Sequence, residues 1–170
     1  NRIWVKSDAK YYFSDDQGKF WQPWILQANG ETKTIWVSQA ELLAVSSLTI
    51  PTPSNSEETI FRSTDNGDTW QAIFYDTLQQ YEIWNAFSVG GTLFFVDSQQ
   101  PFFGMGLFRS FDNGATWTQM DVQGNGTWEN QLLSATAGGS ALIASVCLQD
   151  GIGDAWCYDL KSVDFGQTWT

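Results

Sequence analysis

The eight residues "STDNGDTW" at 63–70 return as "SFDNGATW" at 110–117 and as "SVDFGQTW" at 162–169. A fourth copy, "SDDQGKFW" at 14–21, has Phe20 where the others carry threonine. The shared template is S-x-D-x-G-x-T-W. It is filled by Ser14, Asp16, Gly18 and Trp21; by Ser63, Asp65, Gly67 and Trp70; by Ser110, Asp112, Gly114 and Trp117; and by Ser162, Asp164, Gly166 and Trp169. The closing tryptophans stand 49, 47 and 52 residues apart. A period of that length marks one supersecondary unit stacked several times, not a catalytic motif used once.

In register on these boxes, each unit reads as four short strands. An inner strand ("KTIWVSQ", "YEIWNAFSV", "NQLLSATA") is followed by a continuous apolar run ("ELLAVSS", "TLFFVDS", "ALIASVC") of the kind that suits a strand covered on both faces. A third strand ends in the box ("YYFS", "IFRS", "LFRS", "DLKS"). An alternating outer strand leaves it ("TWQAIF", "TWTQMDV"). Gly90-Gly91 and Gly138-Gly139 read as tight turns between the inner and second strands. No stretch shows helical periodicity, so the expected fold is all-β. Four-stranded antiparallel sheets of about 50 residues, which cannot bury both faces alone, are the blades of a β-propeller. Blade boundaries fall near 1–27, 28–76, 77–123 and 124–170. "RIWVKS" aligns with second strands, and Thr170 stands one residue into an outer strand. The expectation is therefore an arc of about four blades from a larger wheel, with neighbouring blades of a longer chain as its partners.

Within the box, a carboxylate can accept the N–H groups of a tight turn, glycine supplies φ > 0 and a small hydroxyl can tie down the strand end. The tryptophan supplies a large apolar plug. The box thus reads as a structural pin for the hairpin between third and outer strands. An EF-hand reading of "TDNGDTW" fails, because Gly67 is the third residue from Asp65 and not the sixth.

Composition narrows the partners. A net charge of −11 repels phosphate backbones and anionic lipid surfaces, so nucleic acid is excluded as a partner. The chain shows no run of eighteen apolar residues, hence no membrane span, and no basic-then-apolar leader. It has no histidine and no CxxC pair, so neither a zinc site nor any other metal or cofactor is read from it. Cys147 and Cys157, on two arms of a hairpin, are compatible with a cross-strand disulfide or with two buried thiols. "NGT" at Asn125 fits an N-glycosylation acceptor.

These octapeptides resemble the Asp box, or bacterial neuraminidase repeat. The resemblance implies a β-propeller like those of sialidases, xyloglucan-active glycosidases and sortilin-type receptors, and an exported protein, extracellular or in the secretory lumen. In that family the box lies away from the ligand face, so it identifies a fold and not an activity. The stretch "GGSALIASVCLQDGIGDAWCYDLKSVDFGQTW" looks more like sortilin-type blades than sialidase blades.

Ligands of propellers usually meet the loops opposite the boxes. Here these are 26–33, 47–58, 98–106, 121–130 and 148–156. They carry Phe102, Phe103, Trp128 and Trp156, which can stack on sugar rings, anchor a peptide, or fold back as caps on the core. Sialidase chemistry, by the same resemblance, needs an arginine cluster, a tyrosine–glutamate pair and an acid–base aspartate. The three arginines here are Arg2, Arg62 and Arg109, the last two at matching pre-box positions, and no "RIP" triplet is present. Glu57, Glu58, Asp150 and Asp154 lie on the loop side, but a glycosidase pair depends on a spatial separation that sequence does not give. No residue is assigned a catalytic role. Two functions follow as expectations: a non-catalytic recognition module for protein or glycan, or part of a secreted glycoside hydrolase.

Overall fold

In the computed structural model the described residues are 2–8, 10–26, 30–37, 41–49, 56–76, 81–97, 106–122, 130–149 and 155–170. They form antiparallel strands and no helix. The strands belong to four sheets, divided between two compact units, Asn1–Gln79 and Gln80–Thr170.

The first unit holds two sheets. One is β1 (Ile3–Ser7), β2 (Lys10–Ser14) and β3 (Gln22–Trp24), in that order. The other is β4 (Gly30–Val37), β5 (Leu42–Thr49), β6 (Ser56–Ser63) and β7 (Gln71–Tyr75), also in chain order. In the first sheet β1 pairs with the strand that enters the box, Ile3 opposite Ser14, and so takes the place that β5 holds in the second. The sheets are joined through aromatic side chains: Trp24 lies 5.2 Å from Trp4 and 5.0 Å from Trp70 between ring centroids. Rings of this size packed edge-on or tilted bury large apolar areas with favourable quadrupole geometry.

The second unit repeats the plan. One sheet comprises β8 (Ile83–Val89), β9 (Thr92–Asp97), β10 (Gly106–Ser110) and β11 (Thr118–Met120); the other comprises β12 (Asn130–Gly138), β13 (Ala141–Gln149) and β14 (Ala155–Ser162). Every residue of β9 is buried, which accounts for its unbroken apolar run: it is flanked by strands on both edges and covered on both faces. Phe95 stacks on Phe108 at 4.6 Å and Phe87 on Phe94 at 5.5 Å. Thr170 exchanges both backbone hydrogen bonds with Lys161, adding a fourth row to the last sheet. The turn between β12 and β13 is one residue later than its glycine pair implies. Gly138 is still paired with Ala141, and Gly139 is the turn residue with positive φ.

Seams between sheets use the boxes. Gly67, with φ of +89°, approaches Trp4 so closely that an added Cβ would collide with the indole, and Gly166, with φ of +82°, stands in the same way against Met120. Gly67 is needed twice over, for the left-handed backbone and for the approach of the Trp4 indole, whereas at Gly166 the left-handed backbone is the requirement, since the flexible end of Met120 can move aside. The residue before each box glycine is left-handed too: Gln17, Asn66, Asn113 and Phe165 have φ between 59° and 64°. A phenylalanine there is strained. It is held because its carbonyl accepts a 2.9 Å hydrogen bond from Arg109 Nη1 and its ring meets Phe111 edge-on. Asn66 is met in the same manner, its carbonyl accepting from Arg2 Nη1 at 3.2 Å.

Candidate functional site

Each blade has two ends, and the side chains at them do different work. At the box end the bonding is local and repeats. Ser63 Oγ donates to Asp65 Oδ1 at 2.8 Å and accepts the Gly67 N–H at 2.8 Å, while the Thr69 N–H and hydroxyl both donate to the Asp65 carboxylate. The same bonds recur around Ser110–Asp112–Thr116 and Ser162–Asp164–Thr168. In the first box Phe20 offers only its N–H to Asp16. The threonine hydroxyl is the main cause that holds Asp65, Asp112 and Asp164 down at about 2, below the ordinary 3.8. Asp16 is also lowered, chiefly by the Phe20 N–H. Donors aimed at a carboxylate in this way favour its ionised form.

All three arginines serve this end. Arg2 pairs with Asp15 at 2.8 Å and Asp68 at 2.9 Å, Arg62 pairs with the buried Glu41, and Arg109 caps the Phe165 carbonyl. Their guanidinium groups are thus committed to box turns and strand ends and do not assemble a carboxylate clamp.

The opposite end carries a feature that sequence reading missed. In each of the inner strands β4, β8 and β12 the ladder shifts at one place: between Thr32 and Thr34, between Ile83 and Asn85, and between Leu132 and Ser134. The partners across the shift are Ser46 and Val45, Asp97 and Val96, and Val146 and Ser145. Counted forward from Leu42, Leu93 and Leu142, which pair with the box serines Ser63, Ser110 and Ser162, these are equivalent positions. Three inner strands therefore carry the same β-bulge, with Lys33, Trp84 and Leu133 as the extra residues. A bulge bends its strand and re-aims the side chain it carries.

The bulged side chains that are described differ. Lys33 Nζ donates to Glu58 Oε1 at 2.7 Å, and its carbonyl accepts from Lys6 Nζ at 2.9 Å and from the Tyr11 hydroxyl at 3.3 Å. Glu58, with no exposed surface, lies in β6 and not in a loop, as does Glu57. A buried carboxylate tied to a lysine is an internal ion pair and not a group poised beside solvent. Trp84, by contrast, is 57% exposed.

Of the sequence candidates, Trp156 is the second residue of β14, at this end, opposite Leu148, and is 58% exposed. Beside it Cys147 and Cys157 face each other across β13 and β14 and are joined by a disulfide. Phe102, Phe103, Trp128, Asn125, Asp150 and Asp154 lie outside the described residues.

Comparison with known proteins places the repeats. Residues 12–23 and 61–72 match the family described as BNR/Asp-box repeat. A comparison with curated proteins finds no match. Among solved structures the chain is similar to the Hadza microbial sialidase Hz136, at 18% identity and a TM-score of 0.57, over 95% of this chain and 39% of that one. It is similar to the GH93 α-L-arabinofuranosidase of Fusarium graminearum in complex with arabinobiose, at 15% and 0.55, over 91% and 54%. It is also similar to the GH74 xyloglucanase from Xanthomonas campestris, at 15% and 0.51, over 99% and 40%. The chain carries BNR/Asp-box repeats on the fold of β-propeller glycoside hydrolases, and spans from about two fifths to about half of these neighbours. Among the described residues no helix is long and apolar enough to cross a membrane.

Proposed function

We propose that this chain is a glycan-recognising part of an exported β-propeller protein, reading its ligand at the ends of the blades away from the boxes. The observation that carries this is Trp156, an indole more than half exposed at that end, on a fold whose similar structures include a sialidase, an arabinofuranosidase and a xyloglucanase. An indole exposes a flat apolar face with a polar N–H at its edge, a combination suited to sugar rings. The described polar groups support recognition over catalysis: the arginines are bound up at the boxes, and Glu58 is buried against Lys33. The finer likeness to sortilin-type receptors gains no support from neighbours that act on sugars.

A second reading, part of a secreted glycoside hydrolase, is favoured by the same three neighbours. The full-length protein on a glycan array, with a panel of fluorogenic glycosides in parallel, separates the two. Selective glycan retention without turnover is the expected result. Turnover replaces it with the hydrolase reading, and retention of no glycan contradicts both recognition and a sugar ligand.

A further inference from the structure

The bulge in β8 is built differently from its counterpart in β4, and the difference points to a ligand. In β8 the residues around the bulge are sealed: Ile83, Ala86 and Phe87 are at most 1% exposed. The chain entering it is pinned on two sides. The Glu82 N–H donates to Asp97 Oδ1 at 2.6 Å, and Tyr81 packs edge-on against Phe95 at 6.0 Å and Phe108 at 5.5 Å. Just beyond, Asn85 Nδ2 reaches the Ala135 carbonyl of the next inner strand at 3.4 Å. Trp84 stands out of this frame, 57% exposed, at the end of the blade away from the box. Other indoles are used inside the protein: Trp70 and Trp117 donate their ring N–H to Gly67 and Gly114 carbonyls. Keeping a large apolar ring in water forgoes its burial energy, and a backbone held on both sides of it lowers the ordering cost of meeting a ligand.

We propose that Trp84 is the aromatic floor of a subsite for a pyranose ring of a neutral glycan. The face of a β-linked glucose or galactose residue presents its C–H groups to such a ring, and exposed Glu82 two positions earlier offers acceptors for sugar hydroxyls. Charge decides for a neutral sugar. Glu82 is acidic and exposed, and the whole chain carries −11, so a sialic or uronic acid carboxylate at this position is repelled. Trp84 is also what β4 lacks: its bulge carries Lys33, spent on Glu58.

This inference rests on glycan recognition as the function, and its test separates the two. The full-length protein and its Trp84→Ala and Trp84→Phe variants are compared on one array carrying β-glucan, xyloglucan, galactan and sialylated oligosaccharides. Affinities for the neutral ligands retained are then measured by titration calorimetry. The expected result is retention of a neutral pyranoside, weakened about tenfold by alanine and less by phenylalanine, with an unchanged melting temperature. Equal affinity of wild type and Trp84→Ala overturns the subsite and leaves glycan recognition standing. Retention of sialylated ligands alone overturns the neutral specificity. Retention of no glycan by the wild type overturns recognition and the subsite together.

Discussion

The box serine and the box aspartate share a hydrogen bond, yet removing them should not cost the same. Ser63 is 2% exposed and accepts the N–H of buried Gly67, whereas Asp65 faces solvent. Ser63→Ala strands a buried donor and should lower stability by about 1–3 kcal/mol, while Asp65→Ala, whose lost partners can turn to water, should lower it less. Chemical denaturation of the two variants checks the order. Asp65, Asp112 and Asp164 also make stability depend on pH. Their folded value of about 2 lies below the ordinary 3.8, so their contribution is complete above the unfolded value and is lost as pH falls through 3.8 toward 2. The melting temperature should therefore drop across that window. Replacing Thr69, Thr116 and Thr168 by valine removes the first cause of the depression and should make the drop shallower; an unchanged slope would show that the hydroxyls do not set it.

At the next size up, the blade hairpins were largely legible in the sequence, and the bulges were not. Strand positions followed from two local signals, the box and the unbroken apolar run of a doubly covered strand such as Leu93–Val96. A bulge leaves neither. It adds one residue to a strand without glycine, proline or any fixed residue type, as Lys33, Trp84 and Leu133 show. It becomes visible only when both strands' registers are known. The same blindness put Glu57 and Glu58 in a loop: charge marked them as surface, and the partner that allows burial, Lys33, is 25 residues away. Cys147 and Cys157 illustrate the converse. A spacing compatible with pairing could equally have held two thiols, and the register that sets them opposite each other decides. Peptide mass spectrometry without reduction should find them linked, and labelling of both thiols in native protein would contradict the pairing. Because the bond closes a short loop at the end where Trp156 stands, reduction should disturb glycan binding more than the box turns.

For the molecule as a whole, repetition separates scaffold from recognition. What recurs in every box is satisfied locally: the serine hydroxyl accepts the glycine N–H, and the aspartate accepts the N–H four residues on. What varies, Lys33 against Trp84 at the bulges and Trp156 at the start of β14, lies at the other end of the blades. Local satisfaction is what a scaffold needs, and exposed variation is what a ligand reads. The charge of −11 adds that polyanions are poor ligands, so the protein should pass through a heparin column at low salt without retention. The division is tested most directly by measuring, for one retained neutral glycan, both dissociation constant and melting temperature of the full-length Ser63→Ala and Trp156→Ala variants. The box variant should melt earlier with unchanged affinity, and the Trp156 variant should bind more weakly with an unchanged melting temperature. Weakened binding in the box variant at an unshifted melting temperature, with full binding in the Trp156 variant, would contradict it.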